Sequence, residues 1–217
     1  GRGVSRLRAV GIQVEIGDRA EAALKLNLPF FTAVHYQRPF VHVKIAQSLD
    51  GRIATRNGDS QWITDLSARQ IVHEIRAKHD AILIGCRTAI HDNPKLTVRF
   101  ETAHREPLKM PWRVILDTKL TLPVSANLVA DQYAEQTIVF TSDLADPERQ
   151  KQLIDKGVNV NRVPIGSDGW LDLKRVLKTL YNRDIRSVLV EGGHKIFTSF
   201  LNSDYFDQLS TFIAPII

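Results

Sequence analysis

From Phe40 onward the chain alternates short apolar runs with segments of helical period, and this alternation restricts the possible fold more than any other feature. Strands separated by helices form a sheet covered by helices on both faces. The apolar runs predict strands at Phe40–Ser48, Ala81–Gly85, 112–117, Thr137–Thr141, 159–164, 187–191 and Gln208–Ala214. Ala81–Gly85 is apolar throughout, as expected of a central strand buried on both faces. Alternation in Phe40–Ser48 puts Val41, Val43 and Ile45 on the core face and Phe40, His42, Lys44 and Ala46 on the other. Thr64 or Asp65 can cap a helix whose apolar positions are Ala68, Ile71, Val72, Ile75 and His79. Further helices are expected at 147–156, 172–181 and 194–202. The second of these carries Leu173, Val176, Leu177, Leu180 and Tyr181 on one face.

Residues before Arg38-Pro39 follow another pattern. They read as a helix stopped at Gly11, a strand over 12–16, and a helix over 20–28 ended by Pro29. With 217 residues, 43% of them hydrophobic, the chain is expected to form one domain with an appendage, divided as 1–37 and 38–217. No apolar run approaches the roughly 20 residues of a membrane span, and the start lacks the apolar core of a signal peptide. The single cysteine, Cys86, excludes an internal disulfide, so a cytoplasmic protein without membrane partners is expected. The net charge of +5 favours anionic ligands. Its cations are dispersed among acids rather than gathered in a basic block, which argues for a phosphorylated metabolite over nucleic acid. Seven scattered histidines show no metal-ligand spacing, and no G-x-S-x-G marks a serine hydrolase.

Ligands of open α/β sheets bind at the carboxyl ends of the strands, which directs attention to four turns. In Glu191-Gly192-Gly193-His194, paired glycines allow close backbone approach, and the following helix N-terminus suits a pyrophosphate. A plain tight turn would also need those glycines, and G-x-G-x-x-G is absent. Glu191, ending an apolar strand, requires a partner. In Lys44-Ile45-Ala46-Gln47-Ser48-Leu49-Asp50-Gly51-Arg52, Lys44 either meets an anion or is a solvated lysine on an edge strand. Gly58-Asp59-Ser60-Gln61-Trp62-Ile63-Thr64 either packs on a planar ring or serves as a helix cap with Trp62 as a hydrophobic staple. In the stretch 85–99, Thr88 and Asp92 lie one helical turn apart and Arg99 offers a forked cation; an exposed Asn-Pro turn is the alternative.

Lys44-x-Ala46-x-Ser48-Leu49-Asp50-Gly51-Arg52, Ser60-Gln61-Trp62-Ile63-Thr64, Asp92-Asn93-Pro94-x-Leu96-Thr97-Val98-Arg99 and Val190-Glu191-Gly192-Gly193 occur together in one register. In that combination the chain resembles the reductase part of the bifunctional riboflavin-biosynthesis deaminase/reductase family. Residues 1–31 resemble the end of the deaminase domain that precedes it. The resemblance implies a dihydrofolate-reductase-like α/β fold with a mostly parallel sheet flanked by helices. It also implies an NADPH-dependent reduction of 5-amino-6-(5-phosphoribosylamino)uracil to its ribitylamino product.

By the same resemblance Ala46, Trp62, Thr88, Asp92, Thr118, Gly193, His194, Lys195, Ile196, Phe197, Thr198 and Ser199 would line the cofactor. Ser60, Arg76, Leu96, Arg99 and Glu191 would meet the substrate, with Arg76 and Arg99 suited to a 5-phosphate. Lys44, Asp50 and Glu191 are the candidates for catalysis, the first two for handling a proton. Lys119 is a candidate for the 2′-phosphate of NADPH. The deaminase's zinc-binding His-Ala-Glu and Pro-Cys motifs are absent, so zinc would belong to a preceding domain. A homodimer or higher homo-oligomer is expected, as is a closing strand beyond Ile217. The competing readings are another reductase of this fold, a non-catalytic nucleotide-binding module and an arginine-driven RNA binder.

Overall fold

The computed structural model describes residues 2–55, 65–99 and 109–217. In chain order the elements are α1 (Arg2–Ala9), α2 (Ala20–Leu26), α3 (Leu28–Tyr36), β1 (Phe40–Ser48), α4 (Leu66–Ala77), β2 (Ala81–Gly85), α5 (Cys86–His91) and β3 (Trp112–Leu116). There follow α6 (Asn127–Ala130), β4 (Thr137–Thr141), α7 (Pro147–Ile154), β5 (Asn159–Arg162), α8 (Leu173–Asn182), β6 (Ser187–Gly192), α9 (His194–Leu201) and β7 (Gln208–Ala214).

The strands form one sheet in the order β5-β4-β3-β2-β6-β1-β7, and every ladder among the described residues is parallel. β2 is the middle strand, as its unbroken apolar run requires. On one face Val41, Val43, Leu83, Val114 and Val190 pack beneath Val176, Leu177 and Leu180 of α8 and Phe197 and Phe200 of α9. The other face sets Ile82, Ile84, Ile115 and Val139 against Ala89, Leu128, Val129 and Leu153 from α5, α6 and α7. β1 lies between β6 and β7, so Lys44 does not sit on an edge strand.

Three expectations for the N-terminal part and its borders fail for identifiable reasons. Residues 12–16 join no ladder and are mostly exposed; alternation alone does not make a strand without a partner. Pro29 starts a helix instead of ending one, because it occupies the first turn of α3, where its missing N–H costs nothing. His79 lies past the end of α4, although its Nδ1 still bonds the Ile75 carbonyl oxygen at 2.8 Å. Asp65 caps α4 by accepting from the Ala68 amide, while Thr64 lies outside the described residues. Among the described residues no helix is long and apolar enough to cross a membrane.

His42 is buried, its ring 5.2 Å from that of His79 and its Nε2 2.8 Å from Ser210 Oγ. Burial, with His79 nearby, lowers its pKa to about 4. As pH falls, the unfolded chain therefore takes up this proton near 6.5 while the folded one resists it. The stability contributed by neutral His42 is complete above pH about 6.5 and is lost as pH falls towards 4. Urea midpoints measured across that window should drop less steeply for His42→Gln than for the wild type; parallel slopes would rule out His42 as a source of the acid sensitivity.

Candidate functional site

β6 departs from regular pairing at its carboxyl end. Leu83 pairs with Val190 and Ile84 with Gly192, so Glu191 is an extra residue bulged out of the ladder. A bulge re-aims the side chain it carries, and here the carboxylate turns towards α4. Arg76, on the last turn of α4, donates Nε to Oε1 and Nη2 to Oε2 of Glu191, both at 2.6 Å. Its Nη1 also donates to the Thr97 carbonyl oxygen at 3.2 Å. The pair is largely buried, with side-chain exposures of 14% for Arg76 and 10% for Glu191. Burial alone would raise the Glu191 pKa, but the charge and hydrogen bonds of Arg76, with Lys44 and His73, hold it below the ordinary value.

Lys44 projects from β1 towards the same group. Burial lowers its pKa; Glu191 opposes that shift and Arg76 adds to it. His73, one turn before Arg76 on α4, accepts the Arg99 amide on Nδ1 at 3.3 Å, which leaves Nε2 to carry the proton of the neutral ring. Burial and the nearby cations Arg76 and Arg99 keep its pKa low. A buried carboxylate, an ammonium, an imidazole and two guanidinium groups thus gather on the α4 face of the sheet.

Directly after Glu191 the chain makes the Gly192-Gly193 turn into α9, across a cis peptide bond. Gly192 has φ +132°, a conformation that favours glycine. A Cβ on Gly193 would come within 2.9 Å of Thr88 Oγ1, and one on Gly85 within 2.8 Å of Ile196. The turns after β2 and β6 are therefore pressed together, with backbone exposed where side chains would otherwise stand.

Both groups open into one cavity of about 1200 Å³. That exceeds the roughly 300–1,000 Å³ usual for a single small ligand and leaves room for two. Of the residues singled out from sequence, Lys44, Ala46, Arg76, Thr88, Asp92, Leu96, Arg99, Thr118, Glu191, Gly193, His194, Lys195, Ile196, Phe197 and Ser199 line it, as does Lys119. Thr198 does not: helical period turns it outward, where Oγ1 bonds the His194 carbonyl oxygen. Asp50 also stands apart. Its carboxylate accepts from Ser48 Oγ and Arg52 Nε, bonds that hold its pKa down, and it does not line the cavity. Ser60 and Trp62 lie outside the described residues.

The structure also changes the reading of Arg76. The resemblance implies substrate contacts at both Arg76 and Glu191, whereas much of the guanidinium is already committed to Glu191 and Thr97. Arg99, exposed at the rim, is the more available cation. His73 and Trp170 line the cavity without having been singled out. For His73 a signal existed, since it lies three residues from Arg76 on the same helix face. Among the described residues no group of three or more His, Cys, Asp or Glu side chains is placed to hold a metal ion.

Comparison with known proteins adds an independent line. A family profile described as RibD C-terminal domain matches residues 39–217. The riboflavin biosynthesis protein RibD of Aquifex aeolicus is 40% identical over 215 residues, covering 99% of this chain and 57% of that protein. The structure of Acinetobacter baumannii RibD, form 2, superposes with a TM-score of 0.83 at 35% identity, covering 100% of this chain and 57% of that one. A diaminohydroxyphosphoribosylaminopyrimidine deaminase/5-amino-6-(5-phosphoribosylamino)uracil reductase from Thermotoga maritima gives 0.78 at 39% identity over 98% of this chain and 55% of its own. The chain thus spans little more than half the length of these relatives.

Proposed function

The chain belongs to the RibD C-terminal domain family, and on that premise we propose that it is the NADPH-dependent reductase of a bifunctional deaminase/reductase in riboflavin biosynthesis. The substrate is 5-amino-6-(5-phosphoribosylamino)uracil, and the product carries a ribityl chain in place of the ribosyl ring. The observation that carries this reading is the shared cavity, in which an ionised, multiply charged group and a glycine turn meet at the carboxyl end of β6.

The residues fit a dinucleotide. The Gly192-Gly193 turn leaves backbone open beside Thr88, and Thr118, Lys119 and Lys195 supply polar and cationic contacts around it. When bound, the reduced nicotinamide supplies a hydride. The rest falls to the chain. Glu191, fixed by Arg76, accepts hydrogen bonds from polar N–H groups of the substrate, and Arg99 grips its 5-phosphate. Lys44, beside Glu191 and with its pKa lowered by burial, holds and releases a proton at Nζ near the open-chain imine. Residues 1–37 are the tail of a zinc-dependent deaminase domain, whose catalytic motifs this chain lacks, together with the linker that follows it, and the intact protein is a homo-oligomer.

Mixing the intact protein with NADPH and the phosphoribosylamino-pyrimidine should consume the reduced nicotinamide absorbance only when both are present. Absence of substrate-dependent loss would refute the reductase assignment, and NADPH binding without turnover would favour a nucleotide-binding module. Arg99→Ala should raise the substrate Kd by roughly tenfold or more, the worth of a charge-assisted contact, while leaving the NADPH Kd unchanged. Equal losses for both ligands would remove Arg99 from the phosphate site.

A further inference from the structure

One wall of the cavity is explained neither by the charged group on the α4 face nor by the glycine turn. Between β5 and α8 the chain makes a tight return in which Ile165 and Leu171 form an antiparallel bridge. The Gly166 amide donates to the Trp170 carbonyl oxygen at 2.7 Å, and the Trp170 amide donates to Asp168 Oδ1 at 3.0 Å. Leu171, the next residue, is buried in the core at 4% exposure, whereas the Trp170 indole is 43% exposed and lines the cavity. Next to an inward-facing Leu171, Trp170 holds a large aromatic surface open to the cavity.

What stands beside it narrows the ligand. Lys195 Nζ lies 4.7 Å from the centre of the indole, and Lys195 is two residues past Gly193 on the first turn of α9. Lys195 belongs to α9, which packs through Phe197 and Phe200 on the α8 face of the sheet, and the indole meets it on that side. Glu191, Arg76 and Lys44 project to the opposite face. A ligand crossing the glycine turn therefore meets charged, hydrogen-bonding chemistry at one end and an aromatic surface with a cation at the other.

We propose that Trp170 is the stacking platform for the purine ring of the dinucleotide, with Lys195 as the cation that meets one of its phosphates. The proposal rests on the NADPH reading of this cavity and adds to it a subsite for the adenosine half. An indole face holds a planar base without requiring a particular hydrogen-bond pattern. The ammonium, which the electron-rich ring attracts in the absence of a base, becomes available for a phosphate when the base takes its place.

The test uses the intact protein with NADPH, with 2′,5′-ADP as the adenosine half, and with reduced nicotinamide mononucleotide as the other half. Trp170→Ala should weaken NADPH and 2′,5′-ADP by roughly five- to hundredfold, the range for one stacked base, and leave the mononucleotide unchanged. Trp170→Phe should keep most of the affinity but lose the quenching of indole emission that 2′,5′-ADP produces in the wild type. Thermal melting of both variants checks that each is folded. Unchanged 2′,5′-ADP affinity in Trp170→Ala, with NADPH still bound by the wild type, would overturn the platform and leave the cofactor reading standing. Failure of the wild type to bind either NADPH or 2′,5′-ADP would overturn the cofactor reading and the platform together.

Discussion

Glu191→Ala is expected to destabilise the fold by about 3–5 kcal/mol and to abolish reduction, because it leaves the buried Arg76 guanidinium without its counter-charge. The two effects can be separated. Replacing both partners, as Arg76→Met with Glu191→Leu, removes the charge pair without stranding either member, and such replacements are often neutral for stability. The double variant should therefore recover most of the urea midpoint lost by Glu191→Ala yet remain inactive in the NADPH assay. A loss below about 1 kcal/mol in Glu191→Ala would mean that Arg76 finds water or another acceptor, and the bulge would then hold no structural charge pair. Recovery of activity in the double variant would remove Glu191 from the substrate site.

A comparable loss is expected at Arg113, which takes no direct part in the cavity. Its side chain is 2% exposed at the second position of β3. Nη1 and Nη2 donate to Asp131 at 2.7 and 2.9 Å, Nε donates to Thr137 Oγ1 at 3.0 Å, and further bonds reach the carbonyl oxygens of Leu128 and Lys95. Arg113→Leu removes the guanidinium and leaves Asp131 without its counter-charge, although the Tyr133 amide still reaches Asp131 Oδ1 and Thr137 Oγ1 still reaches the Leu128 carbonyl oxygen. It should cost about 3–5 kcal/mol, or roughly 10 °C in Tm. The bond to Lys95 ties the core to the loop that carries Leu96 and Arg99, which Asn127 also pins through two hydrogen bonds to Asn93. Weakened substrate binding should accompany the lower Tm, whereas an unchanged Tm would mean that Asp131 is resolvated at no cost.

Sequence and structure agree where the governing physics is local. The alternation in β1, the apolar run of β2 and the amphipathic face of α8 depend on neighbours within a few residues, and all three elements form as read. The predicted strand over 12–16 fails because its pattern lacks a partner, which no local rule supplies. The same limit applies in the cavity. Arg76 and Glu191 are separated by 115 positions, and their bond depends on a one-residue register shift that periodicity does not encode. Trp170 lies in a segment with turn residues on both sides, where exposure cannot be distinguished from packing by type alone. Arg113 was more legible than its omission suggests. A cation inside the run Trp112–Leu116 must be solvated or fully bonded, and a strand of that composition leaves only the second choice.

The strand order has a consequence for how the molecule comes to exist. β1 is separated in the chain from its ladder partners β6 and β7 by all of β2 to β5, so Val43 finds Val190 only after those four strands have been made. Until β6 inserts between β1 and β2, the sheet consists of a β2-to-β5 half and an unpaired strand whose edges are open to other chains. Such long-range parallel pairing is slow, because loop closure precedes the contacts that reward it. Lys44 and Glu191 sit on the two strands that the insertion of β6 joins, so closing the sheet there and creating the cavity are a single event. Until that event the open edges of β1 and β2 can accept a wrong partner as readily as the right one, so the step that guards against misassembly is also the one that assembles the chemistry.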